Sequence, residues 1–419
     1  MRLRWRHLVD YFIWIIIAIA SAIAFYMAWS IGANDVANSM ATAVGAKAIT
    51  FKQAVIIAGI LNFLGAVLIG PHVAETIKGK IVNTETIEPN ILLIGFIASL
   101  LAAAIWVTLS TWKEMPISTT HSIIGALMGF GIVAGGFSSV NWGKIGSVAA
   151  SWVLSPIFGC ILAFIVFKII VKLIFSKEEP VKSARIIGPA IIGVTAFIIT
   201  SSLLLKTSLS ETYTISDFNG IIVAIITSII VGFIGIFLLR KIKAKKEEDY
   251  FTVENIFRKL QIVTSCYVAF SQGANDVANA IGPVAAIVPL AETGMMSTST
   301  PIPTTLLALG GIGIAFGCLT WGKRVMKTVG SRITSLTNTR GFSVDFGAAT
   351  TVLVASKLGL PISTSHTVVG AVIGVGLARG LEAIDLSVIK RIIISWIFTL
   401  PIAAGTCIII FYILRMIVG

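Results

Sequence analysis

Apolar runs of about twenty residues recur along the whole chain, separated by short polar or basic stretches. That length lets an α-helix cross roughly 30 Å of hydrocarbon. The runs fall at about 11–31, 52–70, 91–112, 145–175, 187–206, 218–240, 256–272, 302–322, 342–359 and 388–416. Ten-residue alternation, the mark of a membrane β-barrel, is absent, so the pattern predicts helices. Two further apolar stretches follow Pro116 and Pro361 and last only to about Gly136 and Gly376. Each is expected to form a re-entrant helical hairpin. The expected architecture is an all-α polytopic membrane protein of about twelve segments.

Polar residues interrupt this pattern at two related places. Gly32-Ala33-Asn34-Asp35-Val36-Ala37-Asn38 recurs without change as Gly273-Ala274-Asn275-Asp276-Val277-Ala278-Asn279. Extended back to Ala28 and Ala269, the copies agree at nine of eleven positions. On a helix Asn34, Asp35 and Asn38 share a face, because residues three and four apart are neighbours. Gly32 would permit the backbone to open there, and Gly282-Pro283 would kink the second copy. A broken helix of this kind frees carbonyls for ion binding. Acids and amides within membrane segments are costly, so their default reading is functional.

A second motif is also duplicated. Pro116-Ile117-Ser118-Thr119-Thr120-His121 recurs as Pro361-Ile362-Ser363-Thr364-Ser365-His366, and through Gly129 and Gly374 eight of fourteen positions are identical. Hydroxyls at a helix start meet unsatisfied N–H groups. Gly125/Gly129 and Gly370/Gly374 have the spacing that allows close helix packing. Gly273 lies 241 positions after Gly32, and Pro361 lies 245 after Pro116. The chain therefore reads as a duplication: 11–176 and 256–416, joined by helices and a basic loop over 187–254, in one intertwined unit. Glu75 and Glu292 break the repeat register and read as interfacial charges.

Composition agrees with a membrane protein: 56% hydrophobic, 12% charged, mean hydropathy +0.96. The net charge of +13 collects in Arg2–Arg6, Lys177–Arg185, Arg240–Lys246 and Lys323–Arg332, between apolar runs. Such clusters anchor cytoplasmic loops against anionic lipid, and nucleic-acid binding is not expected. Cys160, Cys266, Cys318 and Cys407 lie singly in apolar segments, without metal-type spacing, and read as packing residues. The basic, then apolar, then Ser21-Ala22-Ile23-Ala24 start resembles a signal peptide. The second repeat keeps an equivalent helix, so the first is expected to be structural.

Adjacent hydroxyls at a helix N-terminus suit an anion such as phosphate or sulfate. An isolated Ser-Thr-Thr would more simply bond back to its own helix; duplication in an identical frame favours a ligand. Two carboxylates beside an anion would repel it, by about 4 kcal/mol per pair at 4 Å and an effective dielectric near 20. Cations between them remove the conflict. Carboxylate, amide and hydroxyl oxygens suit Na⁺, and one set per repeat implies at least two ions. Protonated Asp, with His121 and His366 relaying protons, is the alternative. Each His could also cap or gate its hairpin. An intramembrane aspartyl protease, a metal hydrolase and a channel fit less well. Each acid is flanked by Asn, no His-Glu-x-x-His occurs, and a channel needs no occluded cage.

On these two motif pairs the chain resembles the inorganic phosphate transporter family, sodium- or proton-coupled permeases, over residues about 11 to 416. The resemblance implies phosphate as cargo, imported by Na⁺ symport with alternating access, no enzyme activity and no other cofactor. It implies a homodimer in the plasma or inner membrane, with inverted repeats. It assigns Ser118, Thr119, Thr120, Ser363, Thr364 and Ser365 to phosphate. Asp35, Asn38, Asp276 and Asn279, with Asn34 and Asn275, fall to the ion and phosphate core. Proton coupling, or another oxyanion such as sulfate, remains the runner-up. The charges oppose inversion: with Arg2–Arg6 and Arg240–Lys246 both cytoplasmic, the two halves would run parallel.

Overall fold

A computed structural model describes residues 2–77, 81–84, 87–206, 216–242, 249–293, 302–357 and 363–418. The motif residues Pro361 and Ile362, and most of the Arg240–Lys246 connector, lie outside them. The described chain is helical: α1 (Arg2–Gly45), α2 (Phe51–Ile77), α3 (Pro89–Trp112), α4 (Thr119–Gly135), α5 (Trp142–Ile170), α6 (Pro180–Lys206) and α7 (Asp217–Arg240). There follow α8 (Asp249–Thr293), α9 (Thr304–Trp321), α10 (Lys323–Lys327), α11 (Asn338–Lys357), α12 (Thr364–Arg379) and α13 (Leu386–Val418).

Among the described residues, nine helices are long and apolar enough to cross a membrane. The expected span at 342–359 is not one of them. It is a helix, α11, but carries Ser343, Asp345, Thr350 and Thr351, which lower its hydropathy. As expected, the hydroxyl motifs open short helices, α4 and α12, of 17 and 16 residues.

The expected opening of the backbone at Gly32 is not seen, and Gly282-Pro283 lies within a helix and does not end it. Both α1 and α8 run as continuous helix through their motifs. Departures from α-geometry occur instead as single π-turns at Val171–Phe175 and Thr328–Arg332. Gly32 and Gly273 serve close approach: a methyl on Gly32 would lie 1.9 Å from the Ile314 carbonyl oxygen, and one on Gly273 would lie 2.1 Å from that of Asn62. No residue larger than glycine fits at such a crossing.

These contacts fix how the halves interlock. Gly32, Val36 and Gly45 of α1 meet Ile314, Gly322 and Gly330 in that order, so α1 and α9 run in the same direction. Asn62, Gly65 and Gly70 of α2 meet Gly273, Phe270 and Val277, so α2 and α8 also run together. Gly59 faces Ala315 while Gly311 faces Phe63 and Ala66, so α2 and α9 run oppositely. Helices α4 and α12 repeat the exchange. Gly125 and Gly129 pack on Leu400 and Ala404 of α13, and Gly370 and Gly374 pack on Pro156 and Cys160 of α5. Each glycine pair thus seats its helix on a helix of the other half.

One end of the molecule gathers the cations. Arg258 donates to the Ala48 carbonyl at 2.8 Å, Arg324 to that of Trp112 at 3.3 Å, and Lys323 lies over the Phe51 ring. Arg332 pairs with Glu114, and Arg379 bonds Thr334 and Ser335. Helix α1 reaches this basic end with Gly45, so Arg2–Arg6 begin it at the opposite end.

Candidate functional site

The two short helices begin inside the protein, at buried caps. Ser118 is the N-cap of α4, its hydroxyl accepting from the His121 N–H at 3.3 Å; Ser363 caps α12 identically through His366 N–H. The serines do the capping expected of the histidines. Tip residues then project toward the acid motifs. Asn34 holds the first tip in place: its amide donates to Thr111 Oγ1 at 2.9 Å and the Met115 carbonyl at 3.1 Å, and its Oδ1 accepts from Ile117 N–H at 3.3 Å.

Asp35 joins the two tips. Its Oδ2 accepts from Thr119 Oγ1 at 2.7 Å, and its Oδ1 from Ser365 Oγ at 3.4 Å and Asn38 Nδ2 at 3.1 Å. Asn38 also donates to Ser365 at 2.8 Å. Asn279, at the position matching Asn38, donates to Thr120 at 3.1 Å and Thr119 at 3.4 Å. Residues 35, 119, 279 and 365 therefore meet although they are far apart in the chain.

The second acid is placed differently. Asp276 is buried, and its Oδ2 has no hydrogen-bond partner. It lies close enough to Asp35 for the two charges to interact. Thr364 and Asn275 line a narrow cleft between α8, α11 and α12 with Tyr267 and Gln272. Ser118, Ser363 and Ser365 are buried, and Thr120 is partly exposed. No Lys or Arg among the described residues bonds either acid.

Behind the tips the histidines form a cluster with two tryptophans. His121 and His366 lie edge to face with centroids 5.0 Å apart. Trp152 donates to His121 Nδ1 at 2.9 Å; Trp396 stacks on His366 at 3.8 Å and donates to the Pro116 carbonyl at 3.0 Å.

A third buried acid was not singled out in the sequence. Asp345 in α11 accepts from Thr42 at 2.8 Å, Ser265 at 2.7 Å and Thr264 at 3.3 Å. It has no counterpart in the duplicated motifs. Its position in a segment read as a membrane span was the available signal.

The phosphate transporter family model matches residues 31–407, including all four motif copies. This chain belongs to the phosphate transporter family. A relative from Thermococcus kodakarensis that carries a phosphate-permease name is 52% identical over 407 residues, covering 97% of this chain and 98% of its own. Inorganic phosphate transporter 2-1 of Arabidopsis thaliana is 39% identical, over 92% of this chain and 70% of its own. A solved structure titled the sodium-dependent phosphate transporter has 48% identity and a TM-score of 0.87, covering 96% of this chain. This phosphate transporter family member is a multi-pass membrane permease and not an enzyme, so its paired aspartates are not a protease dyad.

Proposed function

We propose that this chain imports inorganic phosphate by symport with sodium through alternating access. The observation that carries the reading is the contrast at the two acids. Asp35 is satisfied by hydroxyls from both tips, whereas Asp276 keeps an unpartnered oxygen beside it. A phosphate between the tips would find donors in Thr119, Thr120, Thr364 and Ser365 and N–H groups at the starts of α4 and α12. It would also face two carboxylates. Na⁺ held by Asp35 and Asn38, and by Asp276 and Asn279, with Asn34 and Asn275 alongside, would neutralise them. Coupling follows: the anion seat is complete only when the cations are in place. Asp345 with its three hydroxyls offers a further oxygen-rich position for a cation.

Contact order supports inverted repeats. Since α1 runs with α9, α9 against α2, and α2 with α8, the two motif helices point oppositely. The cationic end is then cytoplasmic. Family resemblance supports a homodimer in the plasma or inner membrane, which light scattering of the purified protein would test; a monomeric mass would refute it.

Purified protein in liposomes is expected to accumulate phosphate only with an inward Na⁺ gradient, with arsenate competing and sulfate not. Equal uptake driven by a pH gradient without Na⁺ would replace sodium with protons. Sulfate transport at a similar rate would broaden the cargo to oxyanions.

A further inference from the structure

We infer a second oxyanion seat at the mouth of the basic end, separate from the tips and filled without sodium. A cavity of about 410 Å³ opens there, within the ~300–1,000 Å³ usual for small-molecule sites. Its walls carry Lys113, Arg332 and Arg391 against Glu114 and Asp385.

The charges are not equivalent. Arg332 is spent on Glu114. Thr328 also fastens the Glu114 carbonyl at 2.9 Å, so this pair shapes the wall. Asp385 is engaged at the start of α13, accepting from the Ser387 hydroxyl at 2.6 Å and from the Ser387 and Val388 N–H groups. Those bonds, with a smaller contribution from the nearby Arg391 guanidinium, hold its carboxyl below the usual carboxylate range. Lys113 and Arg391 form no ion pair among the described residues, and both line the same cavity. A concave wall with two cations outside any ion pair, Lys113 and Arg391, the latter near Asp385, suits a compact, multiply charged oxyanion of the phosphate type.

Its depth connects it to transport. Met115 and Ile392 also line it. Met115 is held by Asn34 through its carbonyl, and Trp396, one turn beyond Ile392, bonds the Pro116 carbonyl. The cavity therefore opens directly above the first tip. An anion seated there stands next to the substrate path and is attracted by fixed charges, not by Na⁺. The inference rests on phosphate as the cargo. The same chemistry would admit the phosphate of an anionic lipid headgroup at this membrane edge.

The test is equilibrium binding of radiolabelled phosphate to purified full-length protein in neutral phosphatidylcholine micelles, with choline replacing sodium. Weak sodium-independent binding is expected, lowered about tenfold or more by K113Q/R391Q, while sodium-dependent binding changes less than about twofold. D35N/D276N should show the reverse, losing the sodium-dependent component alone. If phosphatidylglycerol displaces the label at low concentration, the headgroup shares the seat; if it does not, free phosphate is the occupant. Absence of sodium-free binding, or its survival in K113Q/R391Q, would overturn the inference. So would its loss in D35N/D276N. Loss of the sodium-dependent component from the wild-type protein would instead count against the coupling reading alone.

Discussion

Asp35 and Asp276 occupy the same place in identical heptapeptides, yet the fold gives them different partners. Asp35 takes hydroxyl hydrogen bonds from both tips; Asp276 leaves Oδ2 bare in a buried setting. A buried unpartnered carboxylate oxygen destabilises the protein by about 1–3 kcal/mol or more. A cation bound there recovers that energy and shifts unfolding upward in proportion to ln(1 + [Na⁺]/Kd). Sodium is therefore expected to raise the melting temperature of the wild-type protein. Asp276→Asn should abolish most of that rise, and Asp345→Asn should reduce it. Differential scanning fluorimetry in NaCl against choline chloride measures this, and an undiminished sodium shift in Asp276→Asn would sink the assignment of that oxygen.

Helices α4 and α12 are too short to span, and their value lies in where they start. Ser118 and Ser363 cap them inside the protein, so their free N–H groups and flanking hydroxyls open onto the acids. Their position depends on the glycine pairs that seat them on α13 and α5. A methyl at Gly370 would sit 2.1 Å from the Pro156 carbonyl oxygen, whereas one at Gly405 would meet nothing within 4 Å. Overpacking of backbone against backbone costs about 1–3 kcal/mol or more. Gly370→Ala should lower thermal stability and phosphate uptake together, with Gly405→Ala close to wild type in both. If the two variants match in fluorimetry and uptake, the crossing does not need a glycine.

At the scale of the whole molecule, each half supplies part of the other's site. Thr119 and Thr120 of the first half meet Asn279 of the second, while Ser365 of the second meets Asp35 and Asn38 of the first. The proposed inversion puts the basic end in the cytoplasm and Arg2–Arg6 outside, against the usual charge rule for a first helix. A single cysteine at Lys390, in a background with the native cysteines replaced, should react with an impermeant maleimide only after cells are permeabilised. One at Gly143, at the opposite end, should react in intact cells. The reverse pattern would place the molecule the other way up.

Much of this was legible in the chain itself. Apolar runs long enough to span, the duplicated acid-amide and hydroxyl motifs, and the short helices after them are local features, set by hydropathy, propensity and spacing. Three things were not local. Gly32 reads alone as a point of opening, and only the Ile314 backbone across from it makes it a packing contact. Asp345 lies in a segment that reads as a span, and only Thr42 and Ser265, brought from α1 and α8, identify it as one corner of a polar cluster. The charge rule, applied to clusters one at a time, points to parallel halves, whereas the proposed inversion rests on which helix ends meet, and a rule about single loops does not see those. Sequence by itself determined that two equal sets of acids, amides and hydroxyls lie within a membrane protein. Tertiary structure decided that they converge and that one acid is satisfied while the other is not, because hydrogen bonds between residues hundreds of positions apart depend on helix crossings that no local pattern encodes.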